Sequence, residues 1–199
     1  MNKPKFIESI RVENGNFQNI EYHQKRVDKT SKAFSFNKIL DLNSIELAQI
    51  IDNNIYKCRV LYSDDEYSIQ ITKYKKREIF SLKIVYDDNI EYDFKYENRA
   101  SLDSLFNQRQ GCSDVLIVKD GFITDTSYSN IVLFDGEEYF TPSTFLLNGT
   151  MRQRLLDDKR IKEREIKPED LKNYKQIFLI NALNSIDDNH LTNVSNIIF

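Results

Sequence analysis

Two Asp-Gly steps, Asp120-Gly121 and Asp135-Gly136, divide the segment from Asp114 to Pro142 into short apolar runs. Asp-Gly between apolar runs favours a two-residue hairpin, because both central residues take positive φ at low cost. The segment DVLIVKDGFITDTSYSNIVLFDGEEYFTP therefore reads as a meander of strands. Upstream, FIESIRVENGNFQNI alternates around Glu13-Asn14-Gly15-Asn16 and reads as a hairpin. YKCRVLYS and YSIQITKY, split by Asp64-Asp65-Glu66, read as another. FSLKIVY and QIFLINAL add strands, and IKEREIK and SNIIF are strand-like. Helical spacing predicts a helix over EYHQKRVDKTSKAF, with Tyr22, Val27 and Phe34 inward, and a second over residues 44–55 behind an Asn43-Ser44 cap. Further helices are expected over 100–110, over 151–161, and from Pro168, since proline is favoured in a first turn. The pattern is α+β. The polar run Asp87 to Tyr92 suggests a crossing between a smaller domain, residues 1–88, and a larger one, residues 89–199.

Composition narrows the function classes. At 40% hydrophobic and 30% charged residues, the chain forms a core and is not disordered. A net charge of −3 argues against nucleic acid as the main partner. Two cysteines, Cys58 and Cys112, are too few for a disulfide scaffold. The N-terminal MNKPKFIESIRV lacks the apolar region of a signal peptide, and no apolar run approaches the ~20 residues of a membrane helix. A cytoplasmic protein is expected. The two histidines and two cysteines lack metal-ligand spacing, so no metal is expected.

Three features carry chemistry. Lys95 precedes a helix, Asp125 sits between strands, and Gly149 to Arg152 forms a turn opening a helix. Exposed N–H groups and the helix dipole make such a turn a candidate anion site. Singly, each has an ordinary reading: a solvated lysine, a turn aspartate, a glycine that accommodates the backbone.

In combination they resemble the class IV aminotransferase family, the fold type IV pyridoxal phosphate enzymes. The likeness runs through FIESIRVENGNF, His23 and Arg26 as H-x-x-R, CRVLY, FKYENR, GFITDTSYSNIV, TPSTFLLNGTMR and INAL. It implies two α+β domains with pyridoxal 5'-phosphate in the cleft between them, and a homodimer acting on a small amine or amino acid. Lys95 resembles the Schiff-base lysine. Asp125 stands where the family has Glu in T-E-x-x-x-x-N, pairing with the pyridine nitrogen; the exchange shortens the side chain by one methylene. Arg59 resembles the arginine that contacts the phosphate, and also reads as a strand-face arginine. Gly149, Thr150 and Met151 resemble the phosphate turn G-I-T, with Thr one place early and Met151 for Thr. Asn181, Ala182 and Leu183 resemble a backbone loop facing the substrate, and equally read as a strand end. His23 and Arg26, one turn apart, read as a structural pair without a catalytic role.

The family does not fix the reaction. K-x-x-N-R from Lys95 and N-G-T-M-R resemble 4-amino-4-deoxychorismate lyase, and Ala100 stands where branched-chain aminotransferases carry Tyr. The leading expectation is a lyase forming 4-aminobenzoate, a folate precursor, and pyruvate. The alternatives are an aminotransferase for a branched-chain or D-amino acid, and a scaffold that has lost catalysis.

Overall fold

In the computed structural model, residues 4–47, 52–188 and 191–199 are described. They form two compact units. The first comprises Met1–Lys76 with Phe94–Asn98, and the second Arg77–Asp93 with Arg99–Phe199.

The first unit carries strands β1 (Phe6–Glu13), β2 (Asn16–Phe17), β3 (Tyr56–Tyr62) and β4 (Tyr67–Lys73), in the order β2-β1-β3-β4, and helix α1 (Ile20–Ala33). The β1–β2 turn places Asn14 and Gly15 at φ 50° and 72°, as an Asn-Gly hairpin requires. Alternation sends Phe6, Ile10 and Val12 of β1, and Cys58, Val60 and Tyr62 of β3, into one core. The strip around Lys95 joins this unit because Ile7 N–H donates to the Lys95 carbonyl at 2.9 Å and Tyr96 bridges Phe6. The expected division at residue 88 does not coincide with the units, which part between Lys76 and Arg77.

The sequence-predicted interior of α1 needs correction. Val27 is buried and Phe34, half-buried, packs on Phe6 in the same core, but the helix's other buried residues are His23, Arg26, Thr30 and Ser31, and Tyr22 is only half-buried. Of the helix expected over 44–55, the described flanks show a single 3-10 turn, Leu42–Ser44, capped by the Asp41 side chain. The centre of that expected helix lies outside the described residues.

The second unit holds β5 (Leu82–Tyr86), helix α2 (Ala100–Phe106), β6 (Asp114–Lys119), β7 (Phe122–Thr126), β8 (Asn130–Phe134), β9 (Tyr139–Pro142), helix α3 (Thr150–Asp157), β10 (Lys162–Arg164), β11 (Gln176–Ile180), β12 (Leu191–Asn193) and β13 (Ile197–Ile198). They make two sheets, β13-β5-β6-β7 and β10-β9-β8-β11-β12. Leu82, Leu116 and Ile123 from the first sheet pack with Ile131, Leu133 and Leu179 from the second. The alternate residues Val132, Phe178 and Ile180 face the other way and pack on Met151 and Leu155 of α3.

Asp120 and Gly121 form the expected two-residue turn at φ 51° and 79°. Asp135-Gly136 does not: its loop spans 135–138, because Asp135 Oδ1 accepts the Glu137 and Glu138 amides at 2.8 Å each. Pro168 opens a 3-10 turn, Pro168–Asn173, instead of an α-helix, and α2 stops at Phe106, short of the expected 110.

Candidate active site

Within the first unit, Phe94 and Tyr96 pack against its core, and Glu97 follows Tyr96, the bridge partner of Phe6. Arg59 on β3 lies on the sheet face away from the core residues Cys58, Val60 and Tyr62: it pairs in register with the half-buried Ser9, and its guanidinium lies 3.6 Å from Glu97 Oε1. Lys95 thus lies in the strip that docks on β1, two residues before the Glu97 that Arg59 approaches, and its charge also acts to lower buried His23.

The core-side face carries a buried ionic group. Glu8 of β1 accepts from Arg26 Nε at 2.7 Å and lies 2.5 Å from His23 Nδ1. Burial acts to raise the Glu8 carboxyl, but the Arg26 charge and hydrogen bonds from Arg26 and His23 outweigh it and hold it at about 2. Burial lowers His23 below the usual histidine range. H-x-x-R is therefore a structural clamp between α1 and β1, as its residues suggested. Its third member, Glu8, is invisible to a local reading because it lies on another element.

In the second unit, Asp125 is buried near the end of β7. Its Oδ1 accepts from Asn130 Nδ2 at 2.8 Å, and its Oδ2 accepts from the Leu146 and Leu147 amides at 3.0 Å each. Burial pushes its carboxyl up to about 6, against the pull of these bonds and of the Arg152 charge. An ionised carboxylate has roughly four acceptor positions. Three are used, leaving one on Oδ1.

The anchored segment leads straight into α3. Asn130 Nδ2 also donates to the Leu147 carbonyl at 2.8 Å. Arg152, buried, donates to Asn148 Oδ1 at 3.1 Å and the Pro142 carbonyl at 2.9 Å, and pairs with Glu163. Gly149 is the N-cap of α3, and Thr150 and Met151 are the first residues of the helix, at its dipole-positive end. The Met151 side chain goes into the core, so only its amide can serve an anion. The exchange of Thr for Met there leaves that amide unchanged.

Asn181 follows β11. Because Asn130 pairs with Ile180, Asn181 arrives beside the same segment and donates to Ser129 Oγ at 3.0 Å. Its Oδ1 accepts the Leu183 amide at 2.9 Å, closing the Asn181-Ala182-Leu183 turn. The site residues expected in the second unit thus cluster around the β7–β8 loop. Asn130 and Arg152 carry that cluster too; Asn130 was signalled by the last position of T-E-x-x-x-x-N, and Arg152 only by its place after the phosphate turn. Among the described residues there is no group of side chains able to hold a metal ion, and no helix long and apolar enough to cross a membrane.

The pattern of the family Amino-transferase class IV matches residues 97–186. An uncharacterised protein of Haemophilus influenzae is 37% identical over 184 residues, covering 90% of this chain and 98% of its own. A crystal structure of a provisionally assigned 4-amino-4-deoxychorismate lyase from Haemophilus somnus is 32% identical, with TM-score 0.83 over 93% of this chain and 99% of that one. The chain belongs to the class IV aminotransferase family. A hypothetical aminotransferase of Mycobacterium tuberculosis, in its pyridoxal phosphate-bound form, shares the class IV fold at 18% identity and TM-score 0.78, over 98% of this chain and 81% of that one. The expectation of a two-domain, α+β enzyme fold of type IV is met.

Proposed function

We propose that this class IV family member is a pyridoxal phosphate-dependent lyase that converts 4-amino-4-deoxychorismate to 4-aminobenzoate and pyruvate. The observation that carries the reading is the Haemophilus somnus relative, aligned over 99% of its length.

The residues fit the cofactor. Asp125 has one acceptor position left for a ring N–H, and a cation there would relieve the cost of burying its charge. The first amides of α3, an eight-residue helix, suit a phosphate. Arg59, held only at 3.6 Å by Glu97, keeps donors for the same group.

When bound, pyridoxal phosphate supplies an aldehyde that condenses with primary amines and a ring that accepts an electron pair. Lys95 Nζ would hold the aldehyde, and as a free amine it would take the proton from the amine-bearing ring carbon of the substrate. The same Lys95 Nζ would return that proton to the methylene carbon of the departing enolpyruvate, giving pyruvate, so the aromatic ring would form without net oxidation. Asp125 keeps a proton on the ring nitrogen, and Asn130 and the Leu146 and Leu147 amides fix its orientation. Gly149, Thr150 and Met151 hold phosphate through backbone N–H groups, with Arg59 as a charged fork. The turn Asn181-Ala182-Leu183 faces the substrate.

The test is incubation of the purified, cofactor-loaded protein with 4-amino-4-deoxychorismate while pyruvate and 4-aminobenzoate are measured. Lys95→Ala is the control, and turnover equal to that control removes the lyase. Conversion of the loaded cofactor to its amine form by L- or D-amino acids, without pyruvate release, would instead mark an aminotransferase.

A further inference from the structure

The second unit contains an arginine whose surroundings are built but whose donors are not used up. Arg99 closes the K-x-x-N-R run and precedes α2. Its Nη2 donates to the Ser127 carbonyl at 2.6 Å, two residues from Asp125. The guanidinium lies 4.1 Å from the centre of the Tyr128 ring and 6.0 Å from that of Tyr92. Such stacking fixes the plane of the fork.

Its side chain is 16% exposed, and the nearest carboxylate, Asp103, sits 3.8 Å from Nε, beyond hydrogen-bond reach. Nε is buried without a hydrogen-bond partner, and Nη1 makes no hydrogen bond among the described residues. Neighbouring arginines differ. Arg77 donates to the Ser113 carbonyl and lies 3.5 Å from buried Asp114. Arg109 donates to the Phe106 carbonyl at 3.1 Å and lies over the Phe106 ring. Holding a guanidinium nearly desolvated with an idle edge is costly unless something anionic completes it.

We propose that Arg99 is a substrate-binding residue whose Nη1 edge, held flat against Tyr128, takes the carboxylate of a planar ring acid. The choice of acid rests on the lyase reading, whose product is such a carboxylate. Tyr128, 54% exposed, gives the ring of that acid a surface to pack on.

The test compares 4-aminobenzoate with its neutral isostere 4-aminobenzamide, each titrated calorimetrically into cofactor-loaded protein. Loss of a charge-assisted hydrogen bond predicts that wild type favours the carboxylate by roughly tenfold to a hundredfold and that Arg99→Gln shows no preference. Arg99→Lys keeps the charge and should retain part of the preference, which guards against a folding defect in Arg99→Gln; cofactor absorbance reports folding in both. A preference unchanged in Arg99→Gln, or no preference or no binding in wild type, overturns the proposal. A preference that disappears in Arg99→Gln while wild type fails to turn over 4-amino-4-deoxychorismate keeps the carboxylate site and discards the lyase.

Discussion

Gly149 and Asn130 touch so closely that a Cβ on residue 149 would lie 2.0 Å from the Asn130 carboxamide oxygen. Gly149 has φ −68° and ψ 147°, a conformation any residue adopts, so the requirement for glycine is steric. The Asn130 amide cannot simply swing away, because its Nδ2 holds both Asp125 and the Leu147 carbonyl. Gly149→Ala should therefore cost about 1–3 kcal/mol by overpacking and weaken pyridoxal phosphate binding. Thermal melts and cofactor titration check this. In an Asn130→Ala background the same substitution should cost little, since the obstructing atom is gone; an additive double mutant would contradict the contact.

Asp125→Glu restores the residue of the family pattern, yet it should impair this protein. The carboxylate is pinned at both oxygens by the Asn130 amide and the Leu146 and Leu147 N–H groups. One more methylene pushes it into donors placed for the shorter side chain, at about 1–3 kcal/mol. Lower melting temperature and weaker cofactor retention are the expected readings; gain in both would mean that the segment around Leu146 adapts.

Asp125 also sets a pH dependence. Its carboxyl is raised from 3.8 to about 6 in the fold, so the folded state binds the proton more tightly than the unfolded chain. Its contribution to stability is fully present below pH 3.8 and is lost as pH rises through about 6, a change of about 3 kcal/mol. Asp125→Asn is neutral throughout and should gain on the cofactor-free wild type by that amount between pH 4 and 7. Urea unfolding at several pH values measures it. Loading wild type with pyridoxal phosphate should flatten the slope, because a ring N–H offsets the buried charge.

Glu8 behaves with the opposite sign. Its carboxyl is held at about 2 against an ordinary 4.5, so its stabilisation is present above pH 4.5 and is lost as pH falls towards 2. Glu8→Ala removes the buried carboxylate that Arg26 and His23 share and should cost about 3–5 kcal/mol. Adding Arg26→Met to that variant should recover part of the loss, which a melting curve would report. An unchanged melting temperature for Glu8→Ala would mean that the clamp does not hold α1.

The features legible in the sequence are the local ones. Asn14-Gly15 and Asp120-Gly121 specify their turns through two positive φ angles, and the alternation of β1, β3 and β11 specifies their faces. Asp135-Gly136 misled because the Asp135 side chain caps two further amides and lengthens the loop. The apolar stripe expected for α1 misled because Glu8, 15 residues before His23, makes a charged interior tolerable there. Lys95, Arg59 and Asp125 stood out as residue types in an order. What could not be read was their support: the backbone amides of Leu146 and Leu147 carry no side-chain signature, and Arg152 acts through Asn148 and the Pro142 carbonyl.

The strip Phe94–Asn98 belongs to the first unit while the residues on both sides of it belong to the second. A single genetic crossover can therefore not exchange one intact unit between relatives. A break at Lys76 would deliver a new second unit with a foreign Lys95 strip that must still add to the resident β1, through Ile7 and Phe6. In chimaeras, and in natural recombination, the Schiff-base candidate travels with the unit it does not fold with.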